Sequence, residues 1–140
     1  MQKQILDILS TTPGCTLVLE TPDGEISTFS NHGVKDLLTL LPTGRLRGAS
    51  LADVVVGRGA AALMLLGGVK RVHALTLSRH ALDLFNLYEG QVEVTYSSLV
   101  PAIENRTHTA LCPIEQLSID SSDIELIHEK IVNFVTKQQK

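Results

Sequence analysis

The stretch from Asp53 to Tyr96 switches repeatedly between two hydrophobic periods, and this alternation narrows the available folds more than any other feature of the chain. "DVVV" (Asp53–Val56) has the β-branched, apolar character of a buried strand. It is followed by a Gly-rich turn and an Ala/Leu helix from Arg58 to Leu66, closed by Gly67-Gly68. "RVHALTLS" then reads as a strand, "RHALDLFNLY" as a helix beginning after a Ser78 cap and ending at Gly90, and "VEVTY" as a further strand. Strands separated by helices of this length pair in parallel through right-handed crossovers, which predicts an α/β domain.

The flanking segments add to this unit. Ile5, Leu6, Ile8 and Leu9 recur at helical spacing before Pro13-Gly14, predicting a first helix over residues 2–11. "CTLVLETPDGEISTF" reads as an antiparallel hairpin around Pro22-Asp23-Gly24, because proline presets the turn and Gly24 tolerates positive φ. "VKDLLTLL" is a short helix stopped by Pro42. In the last segment, Ser122 and Glu125 are spaced as a capping box before a stripe of Ile124, Ile127, Ile131, Phe134 and Val135, expected to pack on the sheet. The expected architecture is a three-layer α/β/α sandwich with a mixed sheet and an N-terminal antiparallel hairpin, forming a single domain over residues 1–140.

Composition removes several classes of function. A chain of 140 residues can form a core without covalent staples. Its two cysteines, Cys15 and Cys112, lie far apart, which points to a reducing, cytoplasmic setting; Asp7 also interrupts any apolar leader core. "GAAALMLLGGV" is about half of the roughly 20 residues a membrane helix needs, so no membrane partner is expected. With a net charge of −3, 4% aromatic residues and no Lys/Arg run, the chain offers no footprint for duplex nucleic acid. The five histidines and two cysteines make no ligand spacing such as C-x-x-C or H-E-x-x-H, so neither a metal nor another cofactor is expected.

Two stretches carry candidate chemistry. In "NRTHTALCPIE", Pro113 suits the first helical position, which puts Cys112 at the N-cap and Glu115 at the third position. The positive helix end favours a thiolate at Cys112, whereas the Glu115 carboxylate, if it faces the sulfur rather than capping the Cys112 N–H, disfavours one. Asn105-Arg106 offers an anion fork beside the same helix start, against the plainer reading of a turn with an exposed charge. His108 stands four residues before Cys112 and reads as an exposed loop histidine. In "DVVVGRGAAALM", Gly57, Gly59 and Ala62 satisfy the G-x-G-x-x-A form of a dinucleotide fingerprint, but no acidic ribose-binding residue ends the next strand. The glycines then admit either an anion or close helix packing. Asp53 opens its strand and is expected at a solvated strand start, or as a carboxylate at the strand's end.

"ADVVVGRGAAALM", "LTLSRHALDLF" and "ENRTHTALCPIE", read in that order, resemble the bacterial family called domain of unknown function 1893, from the hairpin through Glu115. The resemblance implies a cytidine-deaminase-like fold on a five-stranded sheet and points to no particular activity. Zinc deaminases carry a His- or Cys-Ala-Glu motif where Gly57-Arg58-Gly59-Ala60 stands here, and Pro-Cys-x-x-Cys where Ser78-Arg79-His80-Ala81 stands. Neither motif is present, so the activated water and proton carrier of hydrolytic deamination are not expected. By analogy with related folds, a homodimer is compatible with the chain.

These readings converge on an uncharacterised domain binding a small anionic, nucleotide-like molecule at the carboxyl ends of the strands. Asp53, Gly57, Arg58, Ser78, Asn105 and Arg106 are the expected ligand contacts, with Cys112 as nucleophile or redox thiol and Glu115 as its proton partner. Enzyme and ligand sensor both fit. The rival reading is a structural or protein-interaction module on a deaminase-like scaffold, in which the same residues only cap and pack.

Overall fold

In the computed structural model, which describes residues 2–31, 34–104 and 112–138, five strands form one mixed sheet in the order β2-β1-β3-β4-β5. The chain runs α1 (Gln2–Thr11), β1 (Leu17–Glu20), β2 (Ile26–Phe29), α2 (Lys35–Leu40) with a 3₁₀ turn at Leu41–Thr43, β3 (Ser50–Val56), α3 (Arg58–Gly67), β4 (Arg71–Ser78), α4 (Arg79–Leu87), β5 (Glu93–Val100), α5 (Pro113–Ser118) and α6 (Ile124–Gln138). β1 is antiparallel to both β2 and β3, while β3, β4 and β5 are parallel. The α/β sandwich and its hairpin are as the sequence predicts, with Gly24 at φ 93° in the hairpin turn.

Alternation along the strands divides the core between the two faces of the sheet. Leu17, Leu19 and Leu51 face the layer that holds α2 to α6, whereas Val18 and Ala52 face α1 through Ile5 and Leu9. The helix layers are therefore unequal. α3 is buried all round, with Ala61, Ala62, Leu63 and Met64 inaccessible to solvent, because it packs against α4, α5 and α6 as well as the sheet side.

Several expectations change at this level. β3 begins three residues earlier than the apolar run suggests, since Ser50–Ala52 pair with both β1 and β4. Asp53 thus sits within the strand, 9% exposed, rather than at a solvated start. α6 packs against α3 and α5, burying Ile127 and Ile131 in the same core cluster as Leu51 and Leu77 of the sheet. Its N-terminus is capped by Asp123, whose Oδ1 accepts from the Glu125 and Leu126 N–H groups at 3.0 and 3.3 Å, in place of the Ser122 capping box. Among the described residues, no helix is long and apolar enough to cross a membrane.

Gly59 is where the two ends of the helix layer meet. A Cβ there would stand 2.4 Å from Ile114 Cγ2 of α5 and 3.1 Å from Ile131 Cδ1 of α6. Gly59→Ala is expected to lower stability by about 1–3 kcal/mol through overpacking. Urea unfolding should show a reduced midpoint, partly recovered when Ile114→Val removes a methyl group from the contact.

Candidate functional site

Gly57 and Arg58 join β3 to α3, where a helix begins with unpaired N–H groups and partial positive charge. The place an external anion would take is filled by the protein itself. Glu115, reaching across from α5 and only 1% exposed, accepts from the Arg58 N–H through Oε1 at 2.7 Å and from the Ile103 N–H through Oε2 at 2.8 Å. A Cβ on Gly57 would stand 3.1 Å from that Oε1 and 3.3 Å from the Ile103 side chain, so this glycine admits a carboxylate from the same chain. Glu115 does not reach back to the Cys112 N–H, which donates instead to Ile103 O at 2.9 Å. With both oxygens engaged by amides, Glu115 is placed as a helix cap rather than as a proton partner of the thiol.

The Arg58 side chain completes a reciprocal arrangement. Its Nε donates to Ser118 O at 2.9 Å and Ser121 O at 3.0 Å, while Nη2 donates to Ser121 O at 2.6 Å and Ser122 Oγ at 3.2 Å. Nη1 donates to His80 O, in the first turn of α4, at 2.8 Å. A guanidinium aimed at the carbonyl end of α5 satisfies acceptors that the short helix cannot pair internally. Arg58 is therefore 6% exposed and does not join the cavity wall described below, contrary to its expected role as an anion ligand. Ser78 likewise caps: it is fully buried, its Oγ accepts from the Ala81 N–H at 3.0 Å, and it too lies outside that wall.

A cavity of about 360 Å³ opens between β1 and β3, the start of α2 and the N-terminal ends of α3 and α5. Its apolar wall includes Leu17, Leu37, Val54, Ala60, Ile103 and Ile114. Of the expected site residues, Asp53, Gly57, Cys112 and Glu115 reach this wall. Asn105 and Arg106, together with His108, lie outside the described residues. Cys112 occupies the N-cap of α5 as its spacing predicts, half-buried, and its side chain makes no capping hydrogen bond. Both cysteines are free thiols. Among the described residues, no group of three His, Cys, Asp or Glu gathers as a metal site.

The acids dominate the polar part of the wall. Asp36, 7% exposed on the first turn of α2, accepts from Asn31 Nδ2 at 2.8 Å and from the Asn31 N–H at 3.2 Å, which fixes it as an acceptor. The sequence reading missed Asp36, since an acid in the first turn of a helix is commonplace and its inward direction depends on how α2 lies over the sheet. Burial raises the Asp53 carboxyl from the ordinary 3.8 to about 8; the N–H groups of Val55 and Val54 oppose the rise, and the nearby Asp36 adds to it. Among the described wall residues there is no Lys, Arg or His, and Glu104 is a further acid.

Two outcomes follow. Glu115→Ala leaves the Arg58 and Ile103 amides without their acceptor, at a cost of about 1–3 kcal/mol each; hydrogen exchange at those two amides should accelerate along with a lowered urea midpoint. Asp53 binds a proton in the folded chain that the unfolded chain releases between pH 3.8 and about 8. Its contribution is thus fully present below pH 3.8 and lost as pH rises through about 8. Asp53→Asn removes this dependence, so the variant should gain stability relative to the parent as pH rises across that window, measured as urea midpoints from pH 4 to pH 9.

With this geometry in view, the comparisons with known proteins are specific. The family described as TM1506, domain of unknown function (DUF1893), matches residues 4–135. Among solved structures, the crystal structure at 2.70 Å of a DUF1893 family protein (TM1506) from Thermotoga maritima superimposes with a TM-score of 0.83, covering 94% of this chain and 87% of that one at 23% sequence identity. No curated protein matches. A match over nearly the whole chain, on the sheet and helix ends described above, shows that this protein belongs to the DUF1893 family.

Proposed function

We propose that this chain is a small-molecule-binding domain whose ligand occupies the cavity between β1, β3, α2 and the starts of α3 and α5. One observation carries the reading: a largely apolar cavity of about 360 Å³ holds a few convergent polar groups, among them the buried Asp53, beside the half-buried thiol of Cys112. Pockets for drug-sized ligands span about 300–1,000 Å³ and combine this kind of apolar lining with sparse polar anchors. The five-strand order β2-β1-β3-β4-β5, with α3 and α4 opening at adjacent parallel strand ends, supports reading the scaffold as deaminase-like. On that reading the pocket lies near where such scaffolds work, without the motifs of zinc chemistry.

The cross-bracing by Arg58, Ser78 and Glu115 supports a framework role for those three, with ligand contact left to Asp36, Asp53 and Cys112. On this reading the Cys112 thiol, part of the cavity wall, reports on occupancy and is the group that an electrophilic ligand would meet. An anionic ligand would have to draw its cation from residues such as Arg106 and overcome the acids of the described wall.

A metabolite-library thermal shift tests the proposal. A compound that binds only the native chain adds about 2.7 kcal/mol of stability at a hundredfold excess over Kd. Such compounds should also slow alkylation of Cys112 by iodoacetamide. Cys15, which packs with the α1 cluster and is absent from the cavity wall, is the control. Val55, 42% exposed and part of the wall, permits a block: Val55→Trp should abolish the shifts while the chain stays folded. Shifts that persist in Val55→Trp, or a library with no stabilising compound, would favour the non-catalytic scaffold.

A further inference from the structure

Resting on the cavity reading, we infer that the ligand carries a compact cationic group, such as a primary ammonium or an amidinium, on an apolar body, and that this group sits at Asp53 and Asp36. Asp53 is nine-tenths buried, lies in the cavity wall and has no side-chain hydrogen-bond partner among the described residues. The structure holds it only against the N–H groups of its own strand at Val54 and Val55. Asp36 contributes a carboxylate already held by Asn31, so its position does not depend on the ligand.

The surroundings of Asp53 sharpen the choice of charge. On the neighbouring strands it stands opposite Leu17 of β1 and Ala74 of β4, which carry no charge. α2 presents Asp36, the segment before residue 105 presents Glu104, and α5 presents Glu115 and the Cys112 thiol. Every ionisable group of the described wall is therefore an acid or a thiol, and the oxygens of Glu115 are turned to amides. Burial of a carboxyl among other carboxyls holds a proton on Asp53 when nothing compensates its charge. An entering cation supplies that compensation. The exchange is balanced: an ammonium enters, the Asp53 proton leaves to solvent, and an Asp53 carboxylate bonded to the ammonium remains. An anion entering the same space would meet Asp36 and gain no cation from the described wall.

Benzylamine, benzyl alcohol and benzoate share one ring and differ in charge, so they separate the alternatives. Titration calorimetry at pH 7 in buffers of different ionisation enthalpy should show benzylamine binding at least about tenfold more tightly than benzyl alcohol, as expected for a hydrogen bond to a charged group. It should also show a proton released on binding. Asp53→Asn should abolish both the preference and the release while retaining the alcohol's affinity, and Val55→Trp should abolish binding of all three. Equal affinity for amine and alcohol, tightest binding by benzoate, or an amine preference that survives in Asp53→Asn would overturn the inference and leave the cavity reading standing. If none of the three binds, the inference fails, and the library assay with Val55→Trp decides the cavity reading separately.

Discussion

Two helix ends in this fold complete each other. α3 begins with an N–H that needs an acceptor, and α5, less than two turns long, ends with carbonyls that need donors. Glu115 of α5 supplies the first and Arg58 of α3 supplies the second. Each charge lies at the helix end whose dipole favours it, so the carboxylate and the guanidinium are both buried without forming an ion pair with one another. The position of α5, and with it Cys112 and one wall of the cavity, depends on this exchange.

The exchange also explains a misleading pattern. Gly-Arg-Gly after a parallel strand has the form of a phosphate-binding turn, and the physical requirement it meets is similar: backbone N–H groups must be approached by a negatively charged oxygen. In this protein the oxygen belongs to Glu115, and the second glycine makes room for Ile114 rather than for a cofactor. The small side chains that allow this close packing also line the adjoining cavity, through Gly57, Gly59 and Ala60. Tight packing on one side and open space on the other thus come from the same few residues.

How much could be read from the sequence varies with the range of the interaction. β4 and the Ser78 cap of α4 agree with the sequence reading because period, boundary and cap are all encoded within a few residues. β3 and β5 extend beyond their apolar runs, since the polar or small residues Ser50, Ala52 and Ser98 are held in strand form by pairing with neighbouring strands. The stripe on α6 identified buried residues but could not say that their partner is α3. The cap of α6 shifted from Ser122 to Asp123 because adjacent residues both have capping chemistry. Within the site, Cys112 at its N-cap was legible from Pro113. The bond between Arg58 and Glu115 was not, since 57 residues separate them and neither residue type announces the other. Asp53 was visible as an oddity in an apolar run, yet its burial depended on where β3 begins.

The pairing of Cys112 with Ile103, and of Ile103 with Glu115, fastens the chain on either side of residues 105–111. A segment whose two ends are anchored side by side can change in length at little thermodynamic expense, because closure entropy grows only logarithmically with the number of residues enclosed. Insertions or deletions between Glu104 and Cys112 are therefore compatible with the anchors at Ile103, Cys112 and Glu115 staying as they are.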